Sequence, residues 1–263
     1  VDLHLSGKVA VVTGASKGIG LAVTRALASE GVRVVAGALH GSSELDVLTD
    51  RYDDVQSVTV DLTNPQGPAD LVAAATVRHD RLDILVNNVG AVRPRLDGFL
   101  ALTDEDWDWA LTINFLAVVR ATRAAIPHLL KQDSSAVITV SSVNAFLPDP
   151  GVIDYSAAKA ALTNFCKSLS QEFGGRGVRV NTISPGPVQT DLWLGDDGVA
   201  STVGQAAGTT PDEVVAKQQA DIVTGRFTQP REIADLVLLL ASDRVTNVTG
   251  SDVLIDGGLI KTL

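Results

Sequence analysis

The stretch Thr13-Gly14-Ala15-Ser16-Lys17-Gly18-Ile19-Gly20 constrains this chain more than any other, because it sets three glycines between a β-branched run and an amphipathic helix. The run before it, Val9-Ala10-Val11-Val12, has the continuous apolar character of a strand buried on both faces. After it, Ile19, Val23, Ala26 and Leu27 recur at helical spacing, and a second apolar run follows at 32–38. Strand, turn, helix and strand predict one βαβ unit. In that setting Gly14 permits a tight exit from the strand, Gly18 lets backbone approach a pyrophosphate, and Gly20 permits close packing, while the helix start offers free amides to an anion. A glycine-rich turn alone would be common; its position inside a βαβ unit favours a dinucleotide site.

The alternation continues along the chain. Strand-like runs at 58–60, 82–86, 136–140, 178–183 and 253–255 bring the count to seven, the last four near-continuously apolar as for strands covered on both sides. The expected fold is α/β: a seven-stranded, parallel, doubly wound Rossmann sheet with helices on both faces. One helix should start at Thr103 or Asp104, with Glu105 and Asp106 at its positive end, and run towards Leu130. Another spans about 154–173. Residues 186–226 have weaker periodicity, several glycines and a fresh helix start at Thr210-Pro211-Asp212, which reads as an excursion over the site. Residues 1–263 are expected to form a single domain, with 186–226 as its substrate lid.

Composition narrows the function. At 45% hydrophobic and 20% charged residues the chain can bury a large core. A formal net charge of −10 opposes nucleic-acid binding, which needs a basic field. Apolar runs such as 236–241 are far short of the roughly 18 residues of a membrane span, and the beginning of the chain lacks the pattern of a signal peptide. With one cysteine and four histidines lacking ligand spacing, no metal is expected, and the expected compartment is the cytoplasm. Cys166 reads as a packing residue.

Tyr155 and Lys159 are four apart, on one face of the predicted helix, where an ammonium would favour the phenolate. Ser142 lies 13 residues before Tyr155 at the end of the fifth strand, where ligands of parallel sheets bind. Ser141 is its rival, since alternation points only one of the two into the site; the 13-residue spacing favours Ser142. Asp61, after the third strand, could accept from an adenine amino group or cap the following turn. The second strand ends Ala38-Leu39-His40 with no acid before Glu44, so nothing there repels a 2′-phosphate and Lys17 could attract one. NADP(H) is therefore favoured over NAD(H), with His40, Ser42 or Ser43 as donors in place of an arginine.

These residues resemble the short-chain dehydrogenase/reductase family over nearly the whole chain. The resemblance rests on an ordered set: Thr13 to Gly20, Asn87-Asn88-Val89-Gly90, Asn114, Ser142, Tyr155 with Lys159, and Ser184-Pro185-Gly186. It implies that Tyr155 exchanges a proton with substrate, Ser142 polarises the carbonyl, and Lys159 lowers the Tyr155 pKa and bonds the nicotinamide ribose. Asn114 would hold a water of a proton relay. Pro185, Gly186, Val188 and Thr190 would surround the carboxamide. Ser16, Ile19, Ala38, Leu62, Asn88 and Gly90 would complete the coenzyme contacts. Val89 replaces the usual Ala, and Ala145 stands where many members have Gly. The resemblance further implies a homotetramer or homodimer, with the 103–130 and 154–173 helices and the last strand as contacts.

Apolar side chains at Leu192, Trp193 and Leu194, facing Phe146, Leu147, Val152 and Ile153, would suit an acyl chain or ring ketone. Arg93, Arg95 and Arg226 could form a basic cluster for a phosphopantetheine carrier. The sequence thus points to an NADP(H)-dependent ketone reductase similar to 3-oxoacyl-carrier-protein reductases. The alternatives are an NAD-linked dehydrogenase of a sugar, steroid or other secondary alcohol, and a dinucleotide-sensing protein without turnover.

Overall fold

The computed structural model describes residues 1–262. Seven parallel strands form one sheet: β1 (Val9–Thr13), β2 (Arg33–Ala38), β3 (Val55–Thr59), β4 (Ile84–Asn87), β5 (Ser135–Val140), β6 (Val178–Pro185) and β7 (Asp252–Ile255). Their order is β3-β2-β1-β4-β5-β6-β7, so the direction of winding reverses between β1 and β4. That reversal opens a crevice beyond the carboxyl ends of the strands.

Helices cover both faces because the central strands are apolar on both. Ala10 and Val12 of β1 point to one core, with α1 (Gly18–Ser29) and α10 (Pro230–Ala241), while Val9 and Val11 point to the other. The second core holds α3 (Gly67–His79), α5 (Ala117–Leu129) and α6 (Ile153–Phe173). α2 (Ser43–Arg51) follows β2, its N-cap Ser42 accepting from the amide of Leu45. α4 (Asp104–Leu111) opens with a capping box between Thr103 and Asp106. The excursion carries α7 (Asp191–Leu194), α8 (Val199–Ala207) and α9 (Pro211–Asp221), the last also boxed, by Thr210 and Glu213.

Two expectations need correction. The helix expected from 103 to 130 is interrupted by a π-turn, Thr112–Leu116, between α4 and α5. Periodicity could not reveal it, since one widened turn barely shifts the apolar stripe. By length and apolar content the stretch Asp104–Leu129 could cross a bilayer, yet here it packs against α3 and α6, and its first turn carries three acids. The last strand, expected to be buried on both faces, is the edge of the sheet, with Asp252 and Leu254 exposed. Its apolar composition does not distinguish an edge from a centre.

Candidate active site

A cleft of about 840 Å³ lies at the winding reversal, bounded by the glycine turn, the ends of β2, β4, β5 and β6, the first turns of α6, and the lid. Gly18, at φ +55°, takes a left-handed turn at the mouth of α1. Gly20 faces the opposite way: a Cβ there would stand 2.6 Å from Asn88 Nδ2 and closer still to Gly14 O. Lys17, the N-cap of α1, offers its first amides no side-chain acceptor, although α2, α4 and α9 are all capped by their own side chains. A backbone cradle with open amides fits the pyrophosphate of a dinucleotide.

Asn88 braces this cradle. Its Nδ2 donates to Thr13 O and Gly14 O at 3.0 Å each, while Thr13 Oγ1 accepts from the Asn88 and Val89 amides. The wider side chain of Val89 is absorbed against the second core. At the end of β2, Ala38, Leu39 and His40 line the cleft, and Lys17 and His40 are both exposed. Ser42 and Ser43 are not free donors: Ser42 Oγ donates to Ser16 O and Ser43 Oγ to Glu44. Asp61 and Leu62 lie outside the cleft lining. Asp61 accepts from the Thr63 amide and hydroxyl, the turn-capping alternative, which holds its carboxyl below the usual range, and Leu62 is buried in the second core.

The strand end of β5 separates the two serines as side-chain alternation requires. Ser141 Oγ pairs with Thr163 Oγ1 at 2.7 Å, on α6. Ser142 Oγ accepts from the Asn144 amide at 3.1 Å and donates to Asn144 Oδ1 at 3.2 Å, and it lines the cleft together with Tyr155. Lys159 is buried and donates from Nζ to Val140 O at 2.9 Å. Its Nζ stands 5.7 Å from the centroid of the Tyr155 ring, flanking the ring. Spacing predicts an ammonium that lowers the phenol pKa. Here burial raises the phenol instead, opposed only by the nearby Ser142 side chain, and burial also lowers the Lys159 ammonium to about 8. Helical spacing sees proximity but not the loss of water, and desolvation dominates both groups.

Asn114 is fully buried in the π-turn. Its side chain accepts from Ala91 N and donates to Ala91 O and Ala110 O, which ties the end of β4 to this helix. Gly90 brings Asn114 and Lys159 together: a Cβ there would lie 3.0 Å from Asn114 Oδ1 and 3.5 Å from Lys159 Nζ. Pro185, Gly186, Val188 and Thr190 line the same cleft. On the lid side Leu192, Trp193 and Val199 face Leu147 and Val152 across it. Trp193 packs edge-on to Phe227 at 5.2 Å, and Phe227 lines a second hollow of about 600 Å³ behind the lid.

The three arginines do not assemble into a basic patch. Arg93 stacks over Trp109 at 3.7 Å, Arg95 is paired with Asp106 and Asp154, and Arg226 with Glu232. Cys166 is buried, which pushes its thiol up to about 11. Among the described residues no three His, Cys, Asp or Glu side chains converge on a metal-sized site. One residue, Asn144, and the pairing of Arg95, singled out only as a possible carrier contact, escaped the sequence reading. Asn144, two after Ser142, could have been suspected from the Ser-x-Asn turn it forms. Arg95 carries no local signal, because its partners lie 11 and 59 positions away.

A parallel sheet whose winding reverses above a glycine cradle, with a tyrosine, a lysine and a serine meeting beyond the next strand, defines a Rossmann protein of the nucleotide-dependent oxidoreductase type. A family model described as enoyl-(acyl carrier protein) reductase matches residues 14–260. The 3-oxoacyl-(acyl-carrier-protein) reductase FabG of Thermotoga maritima is 32% identical over 98% of this chain and 100% of its own length. Oxidoreductase UcpA of Escherichia coli is 34% identical over 97% and 95%. The crystal structure of L-sorbose reductase from Gluconobacter frateurii, complexed with NADPH and L-sorbose, matches with a TM-score of 0.91 and 32% identity over the whole of both chains. The chain belongs to the short-chain dehydrogenase/reductase family and is an oxidoreductase.

Proposed function

We propose that this protein is an NADPH-dependent reductase of a small ketone, working through Ser142, Tyr155 and Lys159. The carrying observation is that Ser142, Tyr155 and buried Lys159 line one cleft together with the glycine cradle. When bound, the coenzyme supplies the hydride that reaches the carbonyl carbon. Ser142 holds the carbonyl oxygen, which draws charge towards a fixed donor. Tyr155, its phenol raised by burial, stays protonated at neutral pH and delivers that proton to the same oxygen. Lys159, lowered to about 8, exchanges protons near neutral pH and recharges the tyrosine. Gly90 and Asn114 close the space beside it, consistent with a relay at that point.

NADPH is supported by the acid-free end of β2, by exposed Lys17 and His40 at the cleft, and by the NADPH in the sorbose reductase relative. Arg95 and Arg226 are already paired, and this favours a free small-molecule ketone over one presented on a phosphopantetheine carrier. Leu147, Val152, Trp193 and Val199 suit a ring or short chain, with Asn144 for a polar substituent. The protein acts in the cytoplasm as one domain with a lid at 186–226, assembled as a homotetramer or homodimer.

A panel of ketones and secondary alcohols, run with both coenzymes while reduced nicotinamide absorbance is followed, tests this reading. The expected result is ketone reduction with kcat/KM for NADPH at least about tenfold above NADH, a difference of about 1.4 kcal/mol. A clear NADH preference overturns the coenzyme. Tyr155→Phe should lose about 10²- to 10⁴-fold in kcat while its NADPH fluorescence titration stays unchanged; near-normal turnover overturns the mechanism.

A further inference from the structure

Tyr155 sits in the least secured part of its helix. It is the third residue of α6, within the turn whose amides have no intrahelical partner, and the N-cap, Val152, supplies no side-chain acceptor. The amide of Tyr155 is taken instead by Asp154 Oδ1, at 3.0 Å. Asp154 is buried, and its other oxygen, Oδ2, accepts from Arg95 Nε at 3.0 Å and Nη2 at 2.5 Å. The remaining arm of Arg95, Nη1, donates to Asp106 Oδ1 at 2.8 Å, in the first turn of α4. The Arg95 amide donates to Gly151 O at 2.7 Å, just before α6.

One guanidinium thus joins three segments that each carry part of the proposed machinery. These are the β4–α4 loop with Gly90 to Val92 at the cleft, the α4 helix leading to the Asn114 π-turn, and the first turn of α6 with Tyr155. We propose that Arg95 is a positioning residue, which holds the Tyr155 hydroxyl in register with Ser142 through Asp154 without touching substrate. Its planar fork spans two carboxylates on two helices, a geometry a lysine cannot reproduce. The proposal rests on the role given to Tyr155 above.

The test uses the protein with NADPH and its best ketone, comparing wild type, Arg95→Lys, Arg95→Gln, the Arg95→Gln/Asp154→Asn pair and Tyr155→Phe. Arg95→Lys keeps a buried charge opposite Asp154 and so limits the risk of unfolding. It is expected to lower kcat about 10- to 100-fold, the scale of a misplaced reacting group, with KM and the NADPH dissociation constant within about twofold. Amide hydrogen exchange at 153–156, measured without coenzyme, should speed up. The charge-free pair, which keeps one hydrogen bond, should recover part of the kcat lost in Arg95→Gln alone. A kcat for Arg95→Lys within about twofold of wild type, or a loss carried by KM or coenzyme affinity, overturns the proposal. If Tyr155→Phe itself retains turnover, the underlying reading fails instead.

Discussion

Lys159 should make the folded protein less stable, and removing it should show by how much. Its ammonium is lowered from 10.5 to about 8 by burial. At ~1.4 kcal/mol per tenfold change, this corresponds to a cost of about 3 kcal/mol for keeping the charge inside. The sign follows from linkage. Below pH 8 both folded and unfolded chains carry the proton, and the folded state bears the full cost. Between pH 8 and 10.5 the folded chain sheds its proton first and the cost declines; above 10.5 neither state is charged and it is gone. Lys159→Met fills a similar volume without charge, but abandons the hydrogen bond to Val140 O, worth about 1 kcal/mol. A net gain of about 2 kcal/mol at pH 7 remains, or about 4–8 °C in melting temperature for a chain of this size. The assay is thermal and urea unfolding without coenzyme at pH 6, 7, 8.5 and 9.5. The variant should be more stable at the first two values, converge towards wild type at the last, and be inactive throughout. Equal or lower stability at pH 7, or a gain that ignores pH, would refute the account of a desolvated ammonium.

Two further perturbations probe the frame of the site. Gly20→Ala drives a Cβ into Gly14 O and Asn88 Nδ2, so it should cost about 1–3 kcal/mol by urea unfolding and weaken NADPH binding in fluorescence titration. Unchanged affinity would separate the cradle from coenzyme recognition. Arg179, buried on β6, donates to Leu240 O and Ser242 O at the end of α10; Arg179→Met should cost about 1–3 kcal/mol for the carbonyls it abandons, with kcat unaltered.

The sequence made the repeated strand and helix signals legible because the central strands are apolar on both faces and several helix starts carry caps. It could not reveal the π-turn around Asn114, which arises where one buried amide side chain binds the backbone of Ala91 and Ala110. The geometry was legible where spacing along the chain suffices: Tyr155 beside Lys159 on α6, and Ser141 and Ser142, just past β5, turned to different partners. It was illegible where the outcome depends on what surrounds a group. Asp61 spends its carboxylate on Thr63, Ser42 spends its proton on Ser16 O, and Tyr155 rises in pKa when the spacing alone suggests a fall. Arg95 shows the same limit at long range.

The register of β5 has a consequence for quality control of folding. Val140 pairs with Ile183, and the end of this one strand supplies both the carbonyl that anchors Lys159 and the serine that shares the cleft with Tyr155. A slip of one residue would exchange Ser142 for Ser141 and move the lysine's anchor in the same stroke. With the roles proposed for Ser142 and Lys159, misregistered chains would be silent, not sloppy: the ladder that builds the sheet would also decide whether any molecule joins the active pool.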